Sequence, residues 1–153
     1  MSEESVPSEQ CIEAPNEADT TELAWKLIHA DEILARFGQA FDASEDDLER
    51  LQEVLDSKTI EAEARYSLES LGIAFGRIFL ENHEGFDWWM VSDEIGRDPA
   101  IRYRRSSLLI FPQSMLWKRI EDGEEVDVRE LYESLCEHIE EALRENPQWD
   151  EGD

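Results

Sequence analysis

Three histidines (His29, His83 and His138) and two cysteines (Cys11 and Cys136) are the residues that could ligate a transition metal or open a nucleophilic mechanism. A tetrahedral metal site needs several such groups converging at ligand spacing. No H-x-x-x-H or C-x-x-C pair occurs. Cys136 and His138 lie two apart, a spacing that sends them to different sides of a helix. No metal and no cofactor are therefore expected. Cys136, between Leu135 and Ile139, reads as a buried structural thiol rather than a nucleophile. No G-x-S-x-G, P-loop or dinucleotide-binding glycine pattern occurs, and Gly72-Ile-Ala-Phe-Gly76 falls inside a helical period, where it makes a poor phosphate cradle. No catalytic residue is assigned, and a non-enzymatic protein is expected.

Carboxylates number 39, so adjacent pairs such as Asp93 with Glu94 or Glu124 with Glu125 arise by composition alone. Acid/base catalysis would need one of them in an apolar setting that raises its pKa. Asp93 is the best single candidate, because it closes an aromatic segment close to Arg97 and Asp98. The simpler reading is that Asp93 and Asp98 satisfy backbone amides and pair with Arg97 to hold a turn. Cations are scarcer and more informative. Arg97, Arg102, Arg104, Arg105, Lys118 and Arg119 are 6 of the 14 basic residues, within 23 positions. If Ile101 and Tyr103 face a core, Arg102 and Arg104 share the outer face of one strand, with Trp89 on the same face of its neighbour. Arg with Trp is enriched in binding hot spots and stacks by cation–π contact. The candidate partner-binding residues are thus Trp89, Asp93, Glu94, Arg97, Arg102 and Arg104, joined by the acids Glu121, Asp122, Glu124 and Glu125. The competing use of the arginines is internal, neutralising the acidic helices of their own domain.

These residues must be positioned by a small set of elements. Thr20 or Thr21 can cap a helix to about Arg36, and Ser44 ahead of Glu45-Asp46-Asp47 can start a second, short one. From Thr59 to about Asn82, Ile60, Ala64, Leu68, Leu71, Phe75, Ile78 and Phe79 recur at steps of three and four and predict a central helix. Gly72 and Gly76 within it each cost roughly 1 kcal/mol relative to Ala, which a close-packed neighbouring backbone would offset. After His83 the period becomes alternating: Phe86, Trp88 and Met90 one way, Asp87, Trp89 and Val91 the other. Turn chemistry at Ile95-Gly-Arg-Asp-Pro99 then predicts a hairpin, with Leu108–Phe111 as a third strand. Gln113–Ile120 reads as a short helix, and Asp127 with Glu130 caps a last one carrying Val128, Leu131, Leu135 and Ile139. The expected fold class is α+β: a three-stranded antiparallel sheet packed by four to five helices.

With 153 residues and 41% hydrophobic content, one domain with a real core is expected. The formal net charge of −25 opposes coating of nucleic acid or anionic lipid. It is unevenly placed: −13 over residues 1–57, −2 over 58–112 and −10 over 113–153. Residues 1–19 and 146–153 read as acidic tails around a domain at 20–145, with Trp149 able to fold back. No apolar run approaches the roughly 18 to 20 residues of a membrane helix, and Met1-Ser-Glu-Glu-Ser lacks signal-peptide features, so a cytoplasmic location is expected.

The stretch from Gly76 to about Leu135 resembles a family of small bacterial domains of unknown function, numbered three-eight-zero-six. Trp88-Trp89, Asp93-Glu-Ile-Gly-Arg-Asp-Pro-Ala100, Ile110-Phe-Pro112, Lys118-Arg-Ile-Glu121 and Val126-Asp-Val128 carry the resemblance, which leaves the first two helices unmatched. It implies a compact α+β domain and brings no activity.

Three functions compete. The first is a binding protein that neutralises a basic protein partner, such as an immunity protein or inhibitor of a nuclease-like toxin, since complementary charge speeds association. The second is a regulatory or housekeeping module that binds a protein or a small anionic ligand through the Trp/Arg hairpin face. The third is an enzyme using Asp93. The first is favoured, with no direct nucleic-acid or membrane binding.

Overall fold

The computed structural model describes residues 11–61 and 63–150. Cys11–Glu13 form a short strand, β1, and helix α1 follows over Glu17–Ala35. Its N-cap is Asn16, four residues ahead of the expected threonine. The Asn16 side chain accepts from the Asp19 amide at 2.8 Å, while the Asp19 carboxylate accepts from the Asn16 amide at 2.9 Å. This reciprocal box satisfies two donors that the first helical turn would otherwise leave unmet. Helix α2 spans Asp47–Asp56. Asp47 is fully buried and accepts from the amides of Asp42 and Ala43 and from the Arg50 guanidinium, so it fixes the loop entering the helix. The expected Ser44 cap is not made. The central helix α3 runs over Arg65–Asn82 rather than from Thr59, because Ser57 ends α2 and Lys58 turns left-handed at φ 61°, leaving Ile60 to reach the core from a loop.

Strands β2 (Phe86–Ser92), β3 (Arg97–Tyr103) and β4 (Leu109–Ile110) follow, then a 3₁₀ turn at Pro112–Ser114, α4 (Met115–Glu121), α5 (Val128–Glu145) and a 3₁₀ turn at Pro147–Asp150. The sheet is antiparallel in the order β1-β2-β3-β4, so it has four strands where three were expected. Both stretches read as tails carry structure within the described residues. Ile12 of β1 pairs with Val91, and α1 is already helical at Glu17. At the other end Trp149 packs against the core and the Tyr103 hydroxyl donates to Asp150. Residues 1–10 and 151–153 lie outside the described residues.

Register places Phe86 opposite Tyr103 and Trp88 opposite Ile101, on the face that meets α3. The Phe79 and Phe86 rings meet edge to face at 4.9 Å, and Tyr132 of α5 meets Phe75 and Phe79 at 5.9 and 6.3 Å. The two glycines of α3 explain how close the layers come. A Cβ at Gly72 would collide with the Pro112 carbonyl oxygen and lie 2.9 Å from that of Gln113, and one at Gly76 would lie 2.7 Å from Pro112 Cγ. The close approach that the glycines require is therefore to the turn leading into α4. The opposite sheet face carries Asp87, Trp89 and Arg102.

Candidate functional site

The expected hairpin residues divide once their partners are known. Asp93 is structural: its Oδ1 accepts from the amides of Ile95 and Gly96 at 2.8 and 3.1 Å, and its amide donates to the Gly96 carbonyl. Glu94 sits at the exposed tip beside Ile95, which is 95% exposed. Arg97 turns away from Asp93. Its guanidinium donates to Asp19 and to Glu13, each at 2.5 Å, and to Ser92 Oγ at 3.1 Å. It thereby ties β1 and the start of α1 to the hairpin. Those acids hold the Arg97 guanidinium firmly protonated, and Arg97, followed by the Asn16 amide, holds Asp19 below the usual carboxylate range.

Arg102 lies 4.6 Å from the Trp89 ring on the outer face and donates to the carbonyls of Ser106 and Arg105 at 2.7 and 2.9 Å. Arg105 completes the cluster at 5.5 Å from the same ring. Arg104 does not share that face. The strand ends at Tyr103, and Arg104 takes a left-handed φ of 47° with its amide donating to Gly85 and its guanidinium 5.3 Å from the Tyr103 ring.

The acids of the α4–α5 loop form a different feature. Glu124 and Glu125 line a groove of about 1110 Å³ between the end of α2 and that loop. Half-buried Leu55, Ile60, Ile120 and Val126 supply its apolar wall, and Asp56, Glu61 and Asp127 extend its acidic rim. Lys58 is its one basic lining residue. Among the described residues no cation pairs with the carboxylates of Glu61, Glu124 or Glu125. By contrast, Asp127 caps α5 by accepting from the Glu130 amide, and Asp56 accepts from Gln52. Glu121 and Asp122 are exposed at the end of α4 and do not line the groove. The two halves of the expected binding set thus occupy separate features.

Sequence spacing concealed one pair. Cys136 Sγ lies 3.5 Å from His83 Nε2, across 53 residues, while His83 Nδ1 lies 2.9 Å from the Phe79 carbonyl. Nδ1–H donating to that carbonyl leaves Nε2 as the acceptor of the thiol proton. Burial, reinforced by the charges of Glu45, Glu140 and Glu133, pushes the thiol up to about 11, so it stays protonated at neutral pH. Burial and the bond to Glu45 push the Tyr132 phenol up as well. Among the described residues no three His, Cys, Asp or Glu side chains converge to hold a metal. Among the described residues no helix is long and apolar enough to cross a membrane.

Among the described residues the elements define an α+β domain, five helices and a four-stranded antiparallel sheet, with an acidic groove between the end of α2 and the α4–α5 loop. The chain belongs to the family described as Domain of unknown function (DUF3806), whose model matches residues 47–132 and so includes α2, α3 and strands β2–β4, but neither β1 nor α1. No curated protein matches the chain. A crystal structure from Bacteroides thetaiotaomicron VPI-5482, solved at 1.50 Å, is similar in fold, with a TM-score of 0.77 at 22% identity. The likeness covers 86% of this chain and 48% of that one, so this chain spans about half that chain's length.

Proposed function

We propose that the protein is a non-enzymatic binding protein for a basic protein partner, acting as a neutraliser of the immunity or inhibitor type, and that the groove between α2 and the α4–α5 loop is its contact surface. The observation that carries this reading is the combination of an apolar wall (Leu55, Ile60, Ile120, Val126) with an acidic rim that outnumbers its one cation, Lys58, and in which Glu61, Glu124 and Glu125 form no ion pair among the described residues. Such a groove suits a Lys/Arg-bearing segment that also presents an apolar side chain. Apolar burial would supply most of the affinity, and the acids would supply speed and selection against acidic competitors. Placing so much charge on one small chain accords with a cytoplasmic antidote that must capture its partner quickly.

A second reading rests on Trp89, half-buried and flanked by Arg102 and Arg105, which together form a flat face able to hold a protein or a small anionic ligand. The donors of Arg102 already serve the Ser106 and Arg105 carbonyls, which favours an internal role. Affinity capture from host lysate separates the two, with washes at about 0.1 M and about 1 M salt, where screening lengths differ roughly threefold. The groove reading expects a stoichiometric basic protein, released at high salt and absent when Glu61, Glu124 and Glu125 are changed to Gln. Capture indifferent to those changes but lost in Trp89→Ala would reject it in favour of the sheet face.

A further inference from the structure

We propose that the cavity between α1 and the beginning of the hairpin is a binding site for a small zwitterion, an α-amino acid with a short aliphatic side chain. The cavity measures about 150 Å³. A void of about that size is known to hold one six-carbon ring, so a ligand of about six to eight heavy atoms fits. Its apolar wall is Leu23, Met90 and Pro99, all buried, and is suited to an aliphatic side chain.

Charge then selects the rest of the ligand. The lining holds two cations, Lys26 and Arg97, and two acids, Asp19 and Glu22, while Glu69 and Glu13 pair with the same cations from outside it, so both signs of charge face the cavity within a chain of formal net charge −25. A lone carboxylate entering it would face Asp19 and Glu22, and a lone amine would face Lys26 and Arg97. A molecule carrying both charges on adjacent groups meets each with its opposite.

Lys26 is the key residue. It is 7% exposed, and a buried ammonium is costly unless acceptors surround it. Gln113 Oε1 accepts from its Nζ at 2.7 Å, with Glu69 at 3.3 Å and Glu22 at 3.6 Å. Glu22 is the farthest of the three and its side chain is 57% exposed, so an incoming carboxylate would take its place. The displaced Glu22, together with Asp19, would then receive the ligand's ammonium. Arg97, doubly bonded to Asp19, closes the rim. Every charge displaced on entry thus finds a partner on the ligand. This site shares no lining residue with the acidic groove and stands independently of it.

The test is isothermal titration calorimetry of the full chain with valine, isobutylamine and isovalerate, the last two each lacking one of valine's charged groups. Saturable one-to-one binding of valine is expected, with the amine and the acid each at least about tenfold weaker. Lys26→Met should abolish the valine signal while circular dichroism stays unchanged. Should that variant unfold, Glu22→Gln at an exposed position should keep the fold and weaken valine severalfold. The proposal is overturned if valine, alanine and leucine give no saturable heat up to about 10 mM. It is equally overturned if either single-charge analogue binds as tightly as valine, or if binding is unchanged in the folded variant.

Discussion

Two regions of the molecule treat charge in opposite ways. Where α1 meets the hairpin, Lys26 and Arg97 are surrounded by Asp19, Glu13, Glu22 and Glu69, and ion pairs join elements far apart in sequence. Where α2 meets the α4–α5 loop, Glu61, Glu124 and Glu125 form no ion pair among the described residues, and Lys58 is the one cation lining the groove with them. The first arrangement holds the fold together. The second does nothing for the fold that the structure reveals, and carboxylates gathered without partners beside apolar side chains are available to a binding partner. The same residue type is therefore bound into ion pairs between elements in one region and left without them in the other, and the location of the scarce cations distinguishes the two.

The contrast is broken most severely by disturbing the packed region. Gly72→Ala should destabilise by about 2–3 kcal/mol, because the new methyl group meets the Pro112 and Gln113 carbonyls rather than a flexible side chain. Gly96→Ala, where an added Cβ meets nothing, should stay within about 0.5 kcal/mol, and chemical denaturation of both variants checks the difference. Arg97→Gln should come next. It removes the link from the hairpin to Glu13 and Asp19, so amide exchange at Ile12 and Val91 should accelerate while that of α5 stays as before. Because Asp19 is held below its ordinary value of 3.8, the stability this link contributes is present above that value and is lost in the wild type as pH falls through the lowered one.

In the groove the expectation reverses. Changing Glu61, Glu124 and Glu125 together to Gln should leave stability within about 0.5 kcal/mol of wild type, or raise it slightly by relieving like-charge repulsion. A large loss would show that those acids are structural after all. The smallest effect belongs to Cys136. Its thiol is pushed up to about 11 from an ordinary value of 9.0, so the folded state favours the protonated form. That contribution is complete below about pH 9 and is lost as pH rises through 11, so the difference in stability between wild type and Cys136→Ala should shrink between pH 8 and pH 11.

Local signals were readable wherever they were self-sufficient. Asp127 with the Glu130 amide caps α5 as the spacing predicts, the alternation from Phe86 to Met90 gives β2, and Gly72 with Gly76 marks a close approach. The misses share a cause. Strand β1 has only Ile12 as an apolar residue and exists because Cys11, Ile12 and Glu13 find Ser92, Val91 and Met90 about 80 positions on. Thr59–Ala64 continues the helical period of α3, but a left-handed Lys58 and the end of α2 override it. The site divided in the same way. Glu124 and Glu125 were identifiable as loop acids, whereas their meeting with Glu61 and Ile60 depends on how α2 packs on α5. Arg97 stood out as a rare cation, but its partners Glu13 and Asp19 lay in what read as a tail.

The most direct test of the central claim is the association rate of the captured basic partner, measured between about 0.05 and about 0.5 M salt for the wild type and for the variant with Glu61, Glu124 and Glu125 changed to Gln. The rate should fall steeply with salt in the wild type, and the variant should show a slower, much flatter response. Equal salt dependence in the two proteins would contradict that claim and place the contact elsewhere.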